Sequence, residues 1–258
     1  MVHTWPMTHA PIALVTGGSR GLGRSMALRL ADRGTDVVLT YRTAVEEARA
    51  VVAAIEAKGR IAVALPLDVS STAGFPAFAE TVAHELAQRW GRPSFDFLVN
   101  NAGSGGHSPF IETTEAQFDD QLDVHLRSVF FLTQKLLPLI VDGGRIINVS
   151  TGITRYTYAG FASYAIMKGA VEVLTRYLAK ELGPRRIAVN VIAPGGIDTD
   201  FGGGVMRDPA MHAMVAAETA LGRMGTPDDV GGVVAALLAP DAGWINGQRI
   251  EVTGGFSL

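Results

Sequence analysis

The fold is decided by residues 12–23, which read Ile-Ala-Leu-Val-Thr-Gly-Gly-Ser-Arg-Gly-Leu-Gly. The first four residues form a short apolar run of the kind found in buried strands, and a glycine-rich turn follows at once. Beyond the turn, apolar residues recur at the spacing of one helix face, at Met26, Ala27, Leu30 and Ala31. This stretch therefore predicts a strand, a tight glycine turn and an amphipathic helix.

The glycine turn is suited to binding a phosphate group. Glycine allows the chain to turn tightly and to approach a ligand closely. The first N–H groups of the following helix, together with the positive end of its dipole, favour an anion. Many tight turns use glycines for geometry alone. The apolar strand before this turn and the amphipathic helix after it favour the phosphate site.

The same alternation of strand and helix runs along the whole chain. Further apolar runs, separated by helical patterns, lie at residues 36–42, 61–67, 95–99, 144–149, 187–192 and 248–252. Such a rhythm without an internal repeat indicates right-handed crossovers. We predict an α/β fold, namely a single-domain Rossmann-type doubly wound sheet of seven mainly parallel strands with helices on both faces. Residues 11–258 should form this domain, after a flexible tail at residues 1–10.

The composition limits the classes of function. The 258 residues are 48% hydrophobic, enough for the core of one large sheet. With 22 basic and 25 acidic residues the net charge is -3, so we expect neither a nucleic acid nor a membrane partner. There is no cysteine and the six histidines lack ligand spacing, so we expect no metal. No signal-peptide pattern or long apolar run is present, and we expect a cytoplasmic protein.

The end of the second strand predicts the cofactor. Enzymes that prefer NAD usually carry an acidic residue there, which binds the ribose hydroxyls. This chain instead has Tyr41 followed by Arg42, and Arg20 lies in the glycine turn. Two guanidinium groups can flank a ribose 2′-phosphate, so we predict NADP(H). The alternative is a pair of solvated arginines.

Polar residues follow the next two strands at the predicted carboxyl edge of the sheet. Asp68 and Val69 come after the third strand, and Asp68 can accept from an adenine amino group or cap the helix that begins near Ser71. Asn-Asn-Ala-Gly at residues 100–103 follows the fourth strand. A small polar turn at this edge is what a cofactor crevice needs.

Tyr164 and Lys168 lie one helical turn apart and share a helix face. An isolated tyrosine ionises near pH ~10, and a neighbouring ammonium group lowers that pKa by stabilising the phenolate. The pair can therefore move a proton. Taken alone, such a pair is more often an ordinary surface feature.

Three separated motifs, in this order, resemble the short-chain dehydrogenase/reductase family. They are Thr-Gly-x-x-x-Gly-x-Gly at residues 16–23, Asn-Asn-Ala-Gly at 100–103 and Tyr-x-x-x-Lys at 164–168. The similarity covers residues 11–258 and is greatest to ketoacyl-carrier-protein reductases and related carbonyl reductases. It implies reversible hydride transfer between NADP(H) and a ketone, ketoester or ketoacyl substrate. The alternative is a regulatory or sensor protein that binds NADP(H) without turnover.

The resemblance assigns catalytic roles. Tyr164 would donate the proton, and Lys168 would lower its pKa and bind the nicotinamide ribose. The family's serine position, 13 residues before Tyr164, is Thr151, with Ser150 one step earlier. The family's catalytic asparagine is replaced by His125, which is either part of the proton path or a core residue. In the path, an imidazole titrating near pH ~6.5 would add an acid-side inflection to the pH–rate profile.

The resemblance also implies the cofactor contacts and the assembly. The cofactor contacts are Gly17, Ser19, Arg20, Gly21, Leu22, Gly23, Tyr41, Arg42, Asp68, Val69, Asn101, Ala102, Gly103, Tyr164, Lys168, Pro194, Gly195, Ile197 and Thr199. A substrate lid is expected at residues 200–221, with an apolar pocket formed by Phe110, Phe201, Met206, Met211 and Met214. A homodimer or homotetramer is expected, with an interface along the long helix that begins at Thr114 and the helix that bears Tyr164.

Overall fold

A computed structural model describes residues 9–258. The tail predicted at residues 1–10 lies outside the described residues, except for its last two positions. Within residues 9–258, none of the helices combines the length and the apolar character that a membrane crossing requires.

The described chain forms one sheet of seven strands in the order β3-β2-β1-β4-β5-β6-β7, and all six neighbouring pairs are parallel. The strands are β1 (Ile12–Val15), β2 (Asp36–Tyr41), β3 (Ala62–Pro66), β4 (Phe95–Asn100), β5 (Ile140–Val149), β6 (Ala188–Pro194) and β7 (Arg249–Val252). The strand order reverses between β1 and β4, which opens a crevice at the carboxyl ends of these strands. The predicted doubly wound sheet is confirmed.

Eight α-helices connect the strands in the described part of the chain. They are α1 (Gly21–Asp32), α2 (Val45–Glu56), α3 (Phe75–Trp90), α4 (Glu115–Leu122), α5 (Ser128–Leu136), α6 (Ala162–Glu181), α7 (Pro209–Glu218) and α8 (Pro227–Leu237). The capping box predicted at Thr114 is present, since Thr114 and Gln117 bond each other's backbone N–H groups. The long helix predicted from Thr114 is, however, divided by a π-helical turn at residues 123–127.

Helices cover both faces of the sheet because successive strand residues point to opposite sides. On one face, Ala13 and Val15 of β1 pack with apolar residues of α1, α2 and α8. On the other face, Ile12 and Leu14 pack with residues of α3 and α5. Every residue of β1 is therefore apolar, as expected for a strand buried on both faces.

Buried polar groups fix the ends of the sheet opposite the crevice. The Asp96 carboxylate accepts from the backbone N–H of Ile12 at 2.7 Å and is paired with Arg92. Arg145, only 7% exposed, donates to the carbonyls of Leu237, at 3.1 Å, and Ala239 beyond the C-terminal end of α8. A cation at this helix end satisfies carbonyls that have no partner within the helix.

Candidate active site

The turn between β1 and α1 is sterically reserved for glycine. Gly17 and Gly21 have φ of 64° and 54°, in the left-handed region that residues with a side chain rarely adopt. A Cβ added to Gly23 would collide with the carbonyl oxygen of Gly17 and lie 2.6 Å from Nδ2 of Asn101. The turn therefore presents bare backbone beside the first N–H groups of α1, as a phosphate site requires.

Thr16 and Asn101 support this turn from beneath. The Asn101 side chain donates to the carbonyl of Thr16 at 2.8 Å, and the Thr16 hydroxyl accepts from the backbone N–H groups of Asn101 and Ala102, each at 2.9 Å. Asn101 was predicted as a cofactor contact, but its side-chain amide is used to hold the turn. Thr16 was not among the predicted site residues, although it opens the glycine motif.

Both predicted phosphate-binding arginines, Arg20 and Arg42, are exposed. Hydrogen bonds from Ser70 lower the pKa of Asp68, and the charge of Arg42 contributes to the same shift. Arg42 thus lies near the ends of β2 and β3, where an adenosine ribose was predicted. Asp68 does not cap a helix, because its carboxylate accepts from the backbone and hydroxyl groups of Ser70, at 2.9 and 2.7 Å.

Tyr164 and Lys168 lie on one buried face of α6, with exposures of 8% and 4%. The Lys168 ammonium group donates to the carbonyl of Val149 at 2.8 Å and lies 5.8 Å from the centre of the Tyr164 ring. Burial lowers the pKa of Lys168 to about 8. The lysine therefore carries a charge that can be lost close to neutral pH.

Burial raises the pKa of Tyr164 above its ordinary value, and the hydroxyl of Thr151 acts in the opposite direction by hydrogen bonding to the phenol. Lys168 is not among the causes of this shift, since its ammonium group is directed to Val149, and its lowering of the tyrosine pKa during turnover stays a prediction. Tyr164 consequently holds its proton at neutral pH, as a proton donor must.

The structure separates the roles of the neighbouring hydroxyl residues Ser150 and Thr151. Ser150 is buried, and its hydroxyl donates to Glu172 at 2.6 Å. The Thr151 hydroxyl accepts from the backbone N–H of Ile153 at 3.5 Å and lies close enough to Tyr164 to lower the tyrosine pKa. Of the two residues considered for the family's serine position, only Thr151 affects Tyr164 in this way.

His125 lies in the π-helical turn and is 1% exposed. Its Nε2 is 2.8 Å from the carbonyl of Ser104, so Nε2 carries the proton. Nδ1 is buried and has no hydrogen-bond partner among residues 9–258. Burial, and then the charge of Lys168, lower the pKa of His125 to about 3. The predicted inflection near pH 6.5 is therefore wrong, because this imidazole stays neutral through that range.

The segment after β6 returns to the glycine turn. Pro194 ends β6, and the N–H of Gly195 donates to the carbonyl of Val252 at 3.1 Å. Ile197 is buried, and the methyl group of Thr199 would lie 3.8 Å from a Cβ placed on Gly21. The predicted contacts at residues 194–199 thus lie across the crevice from the phosphate turn.

The apolar pocket predicted from five residues does not form as a single site. Phe201 lies near Tyr164, with 6.1 Å between the two ring centres. Phe110 instead lines a separate cavity of about 510 Å³ between residues 107–110 and 153–165. Met206 and Met211 pack against Val215, Met224 and Phe256, and Met214 is exposed. Within the segment predicted as a lid, Met206 and Met211 therefore belong to a small cluster of their own.

The sequence analysis did not predict an ion pair that lies next to the loop after β5. Arg249 of β7 and Glu172 of α6 meet at 2.8 Å, although 77 residues separate them. No local pattern could have indicated this contact, because only the packing of β7 and α6 on the same sheet brings the two residues together.

Comparison with known proteins assigns the family. The family description Enoyl-(Acyl carrier protein) reductase matches residues 17–257. An uncharacterized oxidoreductase of Methylorubrum extorquens is 38% identical over 95% of this chain and 96% of its own length. Hydroxynaphthalene reductase arp2 of Aspergillus fumigatus is 35% identical over 92% of this chain and 89% of its own.

Two solved structures extend the similarity. The reductase LugOII, which catalyses keto-reduction at C1 during lugdunomycin biosynthesis, superimposes with a TM-score of 0.91 and 36% identity over 96% of this chain and 98% of its own. The angucycline C-6 ketoreductase LanV with bound NADP gives a TM-score of 0.91 and 34% identity over 96% and 95%. The chain therefore belongs to the short-chain dehydrogenase/reductase family and is an oxidoreductase.

Proposed function

We propose that this protein is an NADPH-dependent ketoreductase that reduces a cyclic ketone to a secondary alcohol. One observation carries the proposal: a buried, protonated tyrosine lies beside a hydroxyl group, and a buried ammonium group lies 5.8 Å from the centre of its ring. Tyr164 holds its proton because burial raises its pKa, and Thr151 and Lys168 are its polar neighbours. This set can bind a carbonyl oxygen and protonate it.

The residues at the crevice fit a phosphorylated dinucleotide. The bare glycine turn accepts a phosphate group at the N-terminus of α1. Exposed Arg20 and Arg42 supply positive charge for a 2′-phosphate, and the similar ketoreductase LanV is described with bound NADP. When bound, the cofactor supplies the hydride.

The protein's own residues then have distinct tasks. The Thr151 hydroxyl donates a hydrogen bond to the carbonyl oxygen and orients it, and Tyr164 transfers its proton to that oxygen. Lys168, with a pKa of about 8, stabilises the phenolate that remains and binds the nicotinamide ribose. His125 is neutral and bound to Ser104, so we assign it to positioning the loop after β4 and not to proton transfer.

The substrate class follows from the relatives and from the aromatic surface near Tyr164. The similar proteins are described as reductases of hydroxynaphthalene and of angucycline at C-6. Phe201 lies beside Tyr164 and can pack against a flat ring. We therefore place cyclic aromatic ketones ahead of ketoesters and ketoacyl thioesters.

A panel of purified substrates tests the proposal. α-Tetralone, ethyl acetoacetate and an acetoacetyl thioester should be offered with NADPH or NADH, and turnover followed by cofactor absorbance. We expect the highest kcat/KM for α-tetralone with NADPH. NADPH binding without turnover of any ketone would contradict the reductase and favour the regulatory alternative.

We further propose that residues 200–221 form a substrate lid and that the protein is a homodimer or homotetramer in the cytoplasm. Gly202, Gly203 and Gly204 all have positive φ, so the base of the lid uses backbone conformations that glycine adopts readily. Large apolar side chains remain exposed on α5 and α6, at Phe130, Phe131, Ile166, Val173 and Tyr177. A second subunit covering this face would remove them from water.

A further inference from the structure

One carboxylate oxygen of Glu172 lies within hydrogen-bond distance of three donor groups. Its Oε1 accepts from the hydroxyl of Ser150 at 2.6 Å and from Nε of Arg249 at 2.8 Å, and it lies 2.7 Å from the hydroxyl of Thr154. The side chains of Glu172 and Arg249 are only 13% and 23% exposed. Removing Arg249 is costly because it leaves the shielded Glu172 carboxylate without a charge partner, whereas Arg249 itself also pairs with Glu251.

Arg249 connects this hydrogen-bond network to the loop that follows β5, at residues 150–154. Its Nη2 donates to the carbonyl of Thr151 at 3.3 Å and to the hydroxyl of Thr154 at 2.9 Å. The Thr154 hydroxyl also lies 3.0 Å from the same Thr151 carbonyl. Because a hydroxyl group has one proton, Thr154 serves either Glu172 or Thr151 at a given moment, whereas Arg249 serves both.

The backbone carbonyl and the side-chain hydroxyl of Thr151 therefore have different partners. The carbonyl accepts from Arg249, and the side-chain hydroxyl lies close enough to Tyr164 to lower the tyrosine pKa. The elements that bear the ion pair are held independently of it. β7 is paired in register with β6, and α6 is anchored by buried apolar residues such as Met167 and Val171. Apart from the pairing of Arg249 with Glu251, the side-chain bonds from the ion pair reach residues 150–154.

We propose that Glu172 and Arg249 are positioning residues, which hold Thr151 so that its hydroxyl meets Tyr164. The kinetic part of this inference rests on the proposed reductase function, while the structural part does not. Small displacements of an orienting group are expensive in such a site, and a shift of about 1 Å can cost roughly 100-fold in rate.

The ¹³Cζ resonance of Tyr164 at pH 7 tests the inference without turnover. The protein contains five tyrosines, so the signal can be assigned by its loss in Tyr164→Phe. We expect Thr151→Val, which removes the hydroxyl at nearly constant volume, to shift this resonance. Arg249→Ala should shift it in the same direction, and the double variant should show no further shift.

Milder variants separate positioning from folding. Arg249→Lys retains a cation for Glu172 but lacks the second nitrogen that reaches Thr151, so it should shift the resonance as Arg249→Ala does. Glu172→Leu should shift the resonance. Glu172→Gln keeps the accepting Oε1, so its resonance should stay at the wild-type position. Arg49→Ala, which breaks only the exposed pair with Glu46 on α2, is the matched arginine control.

The kinetic arm uses α-tetralone and NADPH. We expect kcat to fall about 10- to 100-fold in Arg249→Ala, with an unchanged Kd for NADPH, and no further fall when Thr151→Val is added. A Tyr164 resonance that is unmoved in folded Arg249→Ala and Arg249→Lys, or an additive shift in the double variant, would overturn the inference. If the wild-type protein reduces no ketone, the proposed function fails, and the resonance still decides the role of Arg249.

Discussion

The ring of His125 stands almost perpendicular to that of Tyr164, at 86° with 4.9 Å between the ring centres. This edge-to-face contact is favourable between aromatic rings and is made by a neutral imidazole. His125 therefore packs against Tyr164 with its ring and binds the loop after β4 through Ser104.

The pH dependence of His125 follows from its pKa of about 3 in the folded protein, against ~6.5 in an unfolded chain. As the pH falls through 6.5, the unfolded chain binds a proton that the folded protein does not, so the free energy of unfolding decreases. The melting temperature of the wild type should therefore fall between pH 7 and pH 5, and that of His125→Asn should fall less. The variant should keep much of the activity and show the wild-type pH–rate profile. An inflection near pH 6.5 that only the wild type shows would return His125 to the proton path.

Tyr164→Phe removes only the hydroxyl group that donates the proton. We expect kcat to fall by ~10²–10⁴-fold, while the Kd for NADPH stays close to that of the wild type. Tyr177→Phe, at a side chain that is 64% exposed on the same helix, is the control and should be silent. Retained turnover in Tyr164→Phe would exclude this proton donor.

Lys168 should make cofactor binding dependent on pH. Because its pKa is about 8 in the folded protein, the ammonium group is lost as the pH rises above that value, and NADPH affinity should weaken. Lys168→Met should bind NADPH more weakly and without this pH dependence, whereas Lys180→Met in the exposed last turn of α6 should behave as wild type. NADPH affinity of the wild type and of both variants is measured by cofactor fluorescence between pH 6 and pH 10. A wild-type affinity that is constant over this range would contradict the assignment.

Arg42 should discriminate between the two nicotinamide cofactors. Loss of a charge-assisted bond to a 2′-phosphate should raise KM for NADPH roughly 10- to 100-fold in Arg42→Ala, and leave NADH nearly unchanged because NADH lacks this phosphate. The comparison is kcat/KM for both cofactors, with Arg49→Ala on α2 as the control. Equal losses with NADPH and NADH, or a wild-type preference for NADH, would contradict the prediction.

Gly23 and Gly232 form a matched pair of glycine-to-alanine changes in helices. A Cβ at Gly23 would collide with Gly17, so Gly23→Ala should distort the phosphate turn, weaken NADPH binding and lower the melting temperature. A Cβ at Gly232 in α8 would meet nothing within 4 Å. Gly232→Ala should therefore stabilise the protein by up to about 1 kcal/mol, since alanine is the better helix former. Unaltered NADPH binding by Gly23→Ala would argue against the turn as the phosphate site.

The sequence by itself determined the features that depend on local chemistry and on the regular spacing of apolar residues along strands and helices. The strand and helix pattern predicted the doubly wound sheet, because buried strands need continuous apolar runs and surface helices need one apolar face. The glycine positions predicted the tight turn, since glycine adopts the φ found at Gly17 and Gly21 far more readily than other residues do. Helical spacing likewise brought Tyr164 and Lys168 to one face of α6.

Only the tertiary structure decided which groups meet and what burial does to them. Ser150 and Thr151 are adjacent hydroxyl residues that follow β5, and packing brings one against Glu172 and the other beside Tyr164. The neutral state of His125 arises from burial and from Lys168, neither of which is visible in a helical pattern. The contact of Glu172 with Arg249 joins α6 to β7 across 77 residues of sequence. Such contacts follow from how separate elements pack on one sheet, and local sequence contains no signal of that packing.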